Sequence, residues 1–93
     1  MDARRRKLQF RASRRGFKEM DLLMGAFADQ HIAALDDDQL DAFERLLDAP
    51  DQDVYSWITA QAAAPDEYQT SVLDLLKSFR YFARANWSDG QRA

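Results

Sequence analysis

Apolar residues recur along this chain at three- and four-residue spacing, and no stretch of β-branched residues alternates with polar ones. That periodicity predicts helices throughout. The first covers about residues 3–14, with Leu8 and Phe10 as its large apolar residues, and Gly16 interrupts it. A glycine there can take a left-handed conformation and close one helix before the next begins. The second helix runs from about Phe17 to about Ala34, with Phe17, Met20, Leu23, Met24, Phe27 and His31 along one face. Gly25 lies inside this pattern, costs about 1 kcal/mol relative to alanine, and points to close packing of a neighbouring helix.

Asp36-Asp37-Asp38 marks a third start, one Asp capping and the others favoured by the helix dipole. Leu40, Phe43, Leu46 and Leu47 then form a buried stripe, and Ala49-Pro50 stops the helix. Asp51 or Asp53 is expected to cap a short fourth helix carrying Val54, Trp57 and Ile58. Pro65-Asp66-Glu67 reads as the start of the fifth and longest helix. Tyr68, Val72, Leu75, Leu76, Phe79 and Phe82 or Ala83 are its apolar face, with acids early and Lys77, Arg80 and Arg84 late. Residues 88–93, beyond Trp87, are expected to fray. The expected architecture is all-α, a single five-helix bundle over residues 1–93 with its ordered core at about 4–87.

At 93 residues the chain is one domain. It has no cysteine, so a disulfide framework, a thiolate metal site and a cysteine nucleophile are excluded. His31 is the only histidine and has no relay partners, so it reads as a packed or surface residue. The Asp36–Asp38 run lacks the alternating oxygens, glycine turn and distal Glu of a calcium loop. No glycine-rich phosphate cradle is present. Trp57, Phe79, Tyr81, Phe82 and Trp87 read as core or rim packing. No catalytic or metal-ligating residue is assigned. No apolar run approaches the roughly 20 residues of a membrane span. The Arg-rich start lacks the apolar segment of a secretory signal, so a cytoplasmic protein without membrane insertion is expected.

The formal net charge of −3 conceals a strong asymmetry. Residues 1–20 hold eight bases (Arg4, Arg5, Arg6, Lys7, Arg11, Arg14, Arg15, Lys18) against Asp2 and Glu19, a net +6. Residues 21–76 hold thirteen acids against Arg45, a net −12, and residues 77–93 return to +3. Surfaces of opposite sign are expected, each able to steer a partner. The acidic middle would repel a phosphate backbone, and no zinc-finger or RNP-like motif occurs. No nucleic-acid partner is therefore expected, and a protein partner with an acidic patch fits better.

Arg14-Arg15-Gly16-Phe17-Lys18-Glu19-Met20-Asp21 packs its charges around a glycine at a predicted helix junction. Two readings stand side by side. In one, a helix stops and restarts, Glu19 bonds back to the chain and Arg15 pairs with Glu19. In the other, the junction is a recognition patch where the glycine admits a second backbone and Arg15 offers a bidentate fork to a partner.

Arg15-Gly16-Phe17-Lys18-Glu19 resembles the R-G-x-x-E signature of the SdhE family of succinate dehydrogenase assembly factors, and Arg14 through Asp21 matches its wider R-R-G-x-x-E-x-D string. The stretch from Leu46 to Ile58, with Asp51, Asp53 and Trp57, resembles a second segment of that family. Together the resemblance spans about residues 4–85. It implies a small five-helix bundle, not itself an enzyme, that binds the flavoprotein subunit of succinate dehydrogenase or fumarate reductase and promotes covalent FAD attachment. The FAD would belong to the client, with no cofactor held stably by this chain, which would be a monomer when free. Arg15, Gly16 and Glu19 carry over as partner-binding residues, and Arg11, Arg14 and Asp21 are placed at the rim by inference. Arg15→Ala is expected to lose flavinylation while the bundle stays folded. Two rivals are an antitoxin-type regulator and a nucleic-acid module using Arg4–Lys7 with Arg80 and Arg84.

Overall fold

The computed structural model describes residues 1–79. Asp2 starts the first helix: its carboxylate accepts the Arg5 backbone N–H at 2.8 Å and pairs with the Arg5 guanidinium. These bonds, the backbone one foremost, hold the Asp2 carboxyl below its usual range. Helix α1 (Ala3–Ala12) turns into α2 (Lys18–His31), which tightens into a 3₁₀ turn over Ile32–Ala34. Helix α3 (Asp37–Asp48) and helix α4 (Asp51–Ile58) follow. A 3₁₀ turn at Asp66–Tyr68 precedes α5, helical over residues 71–79. All secondary structure among the described residues is helical, as expected; Arg80, Tyr81, Phe82, Ala83, Arg84, Trp87 and the expected frayed end lie outside them.

One core joins every helix. Phe27, Phe43, Met24, Val54, Val72 and Leu76 are fully buried, and among the described residues no charged or polar one is buried with them. His31 stacks on Phe27 at 4.7 Å and meets the edge of Phe79 at 5.7 Å, the packed histidine expected from its apolar face. Gly25 lies against α1: an added Cβ would meet Ser13 Cα and Cβ at 3.4 Å. The close helix approach anticipated from the sequence is therefore present.

Several boundaries differ from the periodicity. Asp36 caps α3 in a full capping box, accepting from Gln39 N–H while the Gln39 side chain accepts from Asp36 N–H. At α4, by contrast, neither Asp51 nor Asp53 is a cap: Pro50 takes that position and both acids sit in the first turn. Helix α5 does not begin at Pro65. Thr70 caps it, its hydroxyl accepting from Leu73 N–H at 3.3 Å. Tyr68 consequently leaves the α5 stripe and packs on Trp57 at 4.8 Å.

Gly16 does not adopt a left-handed conformation; among the described residues only Ala60 does, at φ 62°. Ala60 closes α4, with Gln61 N–H donating to Ser56 C=O at 2.8 Å and Ala60 N–H to Trp57 C=O at 3.3 Å. That is a Schellman closure with alanine where glycine is favoured. Ala60→Gly is expected to stabilise the fold by about 1 kcal/mol, since the left-handed penalty of an L-residue is removed. A chemical denaturation midpoint unchanged or lowered in this variant would contradict it.

Candidate docking site at the helix junction

The basic start of the chain divides between two sides of α1. Arg4 and Arg11 share the inner side with Leu8 and Ala12, and Arg15 follows in the loop beyond the helix. Arg4 pairs with Asp41 at 2.5 Å and Glu44 at 3.1 Å, Arg11 with Asp48 at 2.6 Å, and Arg15 with Asp51 at 2.9 Å. The pairing advances the same way along both helices, so α1 and α3 run side by side in the same direction. The Asp41 and Glu44 carboxylates hold Arg4 still more firmly protonated than usual. The sequence-level expectation of two separate charged surfaces is thus corrected: three of the eight bases of the segment fold onto the acidic middle. Arg4 and Arg11 are exposed enough for water to screen their pairs, which therefore add little to stability.

Arg15 is different. Its side chain is 11% exposed and that of Asp51 18%. Nε donates to Asp51 Oδ1, one terminal nitrogen donates to Leu47 C=O at 2.7 Å, and the other to Arg11 C=O at 3.2 Å. These carbonyls belong to the last turns of α3 and α1, which lack intrahelical donors. Arg15 therefore closes two helix ends and one ion pair together. Arg5 does the same at another corner, donating to Ile32 C=O at 2.9 Å and Leu35 C=O at 2.5 Å.

The second Asp51 oxygen accepts the Gly16 N–H at 2.6 Å. A Cβ on Gly16 would stand 2.9 Å from that oxygen and push the Asp51 carboxylate off the Gly16 N–H, so space and not an unusual backbone angle favours glycine here. What approaches Gly16 is this carboxylate. Asp21 accepts the Arg15 backbone N–H from the other side. Phe17 takes the cap position of α2 in extended geometry and meets Tyr55 of α4 edge-on at 5.3 Å. The loop between α1 and α2 is consequently fixed at each residue from Arg15 to Phe17.

The R-G-x-x-E residues thus separate. The Arg15 fork, expected to face outward, is turned onto Asp51 and two carbonyls, and it does not pair with Glu19. Gly16 and Glu19 are exposed, and Glu19 makes no hydrogen bond or ion pair among the described residues. It does not bond back to the chain as a capping box would require. Arg14 is exposed, Arg11 faces α3, and Asp21 is half-buried behind the loop. Sequence reasoning missed Asp51 and Phe17 as parts of the junction, because their partners lie 35–38 positions away.

No group of three or more acidic or histidine side chains among the described residues is placed to hold a metal ion. A groove of about 330 Å³ is lined by Asp41, Glu44, Arg45 and Asp48. Its three carboxylates disfavour the pyrophosphate of a dinucleotide, and a second groove of about 260 Å³, beside Phe10 and Gly25, contains Asp29. No helix among the described residues is long and apolar enough to cross a membrane.

Comparison with known proteins matches residues 6–80 to the family described as "Flavinator of succinate dehydrogenase". The chain is 41% identical over 73 residues to "Succinate dehydrogenase assembly factor 2, mitochondrial" of Dictyostelium discoideum, covering 78% of this chain and 52% of that protein. It is 35% identical over 81 residues to the protein of the same name in Danio rerio, covering 85% and 51% respectively. To the "FAD assembly factor SdhE" of Acetobacter pasteurianus it is 35% identical over 71 residues, covering 76% and 65%. The chain spans about half the length of the first two relatives. With a family match over most of its length and the R-G-x-x-E junction built as described, this chain belongs to the succinate dehydrogenase flavinator family.

Proposed function

We propose that this chain is an assembly factor that docks on the flavoprotein subunit of succinate dehydrogenase, or on that of fumarate reductase, and promotes covalent attachment of FAD to it. The observation that carries this reading is the family match over residues 6–80, which includes the whole pinned junction. Glu19 stands exposed on the first turn of α2, beside a loop whose backbone is fixed by Asp51 and Asp21. In this reading Gly16 and Glu19 meet the client, Arg14 lies at the rim, and Arg15, Arg11 and Asp21 hold the surface from behind.

The chemistry belongs to the client, whose histidine bonds to the flavin. This chain then needs neither a nucleophile nor a general base. It acts by holding client domains in the reactive geometry, and positioning of this kind can be worth several kcal/mol. Preferential binding to one client conformer would have the same result. The FAD stays with the client, in keeping with grooves here that carry carboxylates. The chain works as a monomer in the cytoplasm, where the client subunit is unassembled.

Cells lacking their own factor, supplied with this chain and the host flavoprotein subunit, provide the test. Flavin fluorescence of the subunit on a denaturing gel is expected to appear with the native chain. It is expected to fall by about tenfold with Glu19→Ala at unchanged helicity, as for a central interface residue. No fluorescence gain with the native chain overturns the assembly role, and full fluorescence with Glu19→Ala removes Glu19 from the interface.

A further inference from the structure

The outer side of α1 carries a second pattern that R-G-x-x-E docking leaves unused. Arg6, Lys7, Phe10, Ser13 and Arg14 follow three- and four-residue spacing and share one face. Phe10 is 59% exposed at the centre of that face, one turn from bases on either side. The Arg14 guanidinium lies over its ring at 4.4 Å. Phe10 also forms a wall of the groove of about 260 Å³ between α1 and α2, along with Arg6, Gln9, Ser13, Gly25 and Asp29. Gly25 contributes no side chain to that wall. The one carboxylate in it, Asp29, already accepts from the Gln9 amide at 2.6 Å.

The charges on the two sides of α1 are sorted. Arg4, Arg5, Arg11 and Arg15 each have a carboxylate partner. Arg6, Lys7, Arg14 and Lys18 have none among the described residues, and all but the Phe10-stacked Arg14 lack even an aromatic contact. A large exposed aromatic held by a stacked guanidinium, beside a hollow and ringed by cations, is costly to leave in water. Phe and Arg are also residue types enriched at interface cores. Leu22, on α2 one turn before Gly25, is also 45% exposed.

We propose that this α1–α2 face is a second docking surface, and that its occupant is an acidic segment of the client flavoprotein presenting an apolar side chain to the groove. Charge complementarity selects that occupant: an apolar contact beside Phe10 and carboxylates opposite Arg6, Lys7, Arg14 and Lys18. The proposal rests on the client reading above and adds a recognition site distinct from Glu19. Phe10 supplies the contact area, and the bases supply orientation and association rate.

The test measures affinity of the full chain for the purified flavoprotein subunit by titration calorimetry, for native, Phe10→Ala, Lys7→Glu/Arg14→Glu and Glu19→Ala chains. Phe10 and Arg14 are exposed, so thermal melts should match the native one. Affinity is expected to weaken by about tenfold in Phe10→Ala and by more in the charge reversal. The native affinity is expected to fall with added salt. Native affinity in both variants, with weakened binding by Glu19→Ala, overturns this surface and leaves the assembly role standing. No binding by the native chain overturns the assembly role and this proposal with it. Concentration-dependent dimers lost in Phe10→Ala, or a DNA duplex retained at physiological salt and released by the charge reversal, would instead assign the face to a second copy or to nucleic acid.

Discussion

Asp51→Ala is expected to cost about 3 kcal/mol, although its position lies outside R-G-x-x-E, because it strands a largely desolvated guanidinium. Asp51 uses both oxygens, one on Arg15 and one on the Gly16 N–H. Removing it leaves Arg15 with only the Leu47 and Arg11 carbonyls and leaves the Gly16 N–H to water. For a domain of this size the melting temperature should fall by roughly 15 °C. Asp51→Asn keeps an acceptor without the charge and should fall between. Arg15→Ala should lose a similar amount, which revises the expectation from sequence that this variant leaves the bundle intact. The two losses should be non-additive, with a coupling of about 2 kcal/mol in a double-mutant cycle followed by denaturant unfolding. Additive losses would show that the pair does not hold the junction. Flavinylation should fall in both variants, but through a displaced loop.

Phe27→Ala should be the most damaging single change, costing about 4 kcal/mol. Phe27 is fully buried, with ring centres 5.6 Å from Phe43 and 5.7 Å from Phe79, and His31 stacks on it. Truncation empties the point where α2, α3 and α5 meet. A domain of this length is expected to have only about 5–14 kcal/mol of stability. The melting temperature should drop by roughly 20 °C, followed by circular dichroism. Phe27→Leu, which keeps most of the volume, should cost about 1.5 kcal/mol. Flavinylation lost in Phe27→Ala at 37 °C should return at 20 °C. That recovery separates it from Glu19→Ala, where the folded chain itself would lack a contact. A melt of Phe27→Ala within a few degrees of native would contradict the core assignment.

The helices and their buried stripes were legible because apolar spacing is a local property. Leu40, Phe43, Leu46 and Leu47 are buried as the pattern predicts, and Asp36 caps α3. The start of α5 was misread because Pro65-Asp66-Glu67 satisfies every local rule for a helix start. Tertiary packing of Tyr68 on Trp57 instead holds a single 3₁₀ turn, and Thr70 supplies the cap. At the junction, periodicity identified an unusual segment but could not show what met it. The partner of Gly16 is 35 residues away, and no local rule relates a glycine in one loop to an aspartate at the head of another helix. The division of bases between the two sides of α1 follows helical spacing, yet its meaning required knowing that α3 lies alongside.

The parallel ladder between α1 and α3 also sets an order on how the chain reaches its working form. The carboxylates that pair with Arg4, Arg11 and Arg15 lie 36 to 40 positions further on, so these pairs must overcome a loop-closure entropy that the nearer packing of α1 on α2 does not carry. Until then, the consecutive arginines of α1 repel one another, and the Asp2 cap with its Arg5 pair is the local gain set against the cost of starting the helix. During synthesis the α1–α3 ladder is therefore completed only once the stretch ending at Asp51 has emerged. A partly finished chain would not yet hold the Arg15–Asp51 junction in its final arrangement, so under the proposed role client recognition would be reserved for molecules whose folding is done.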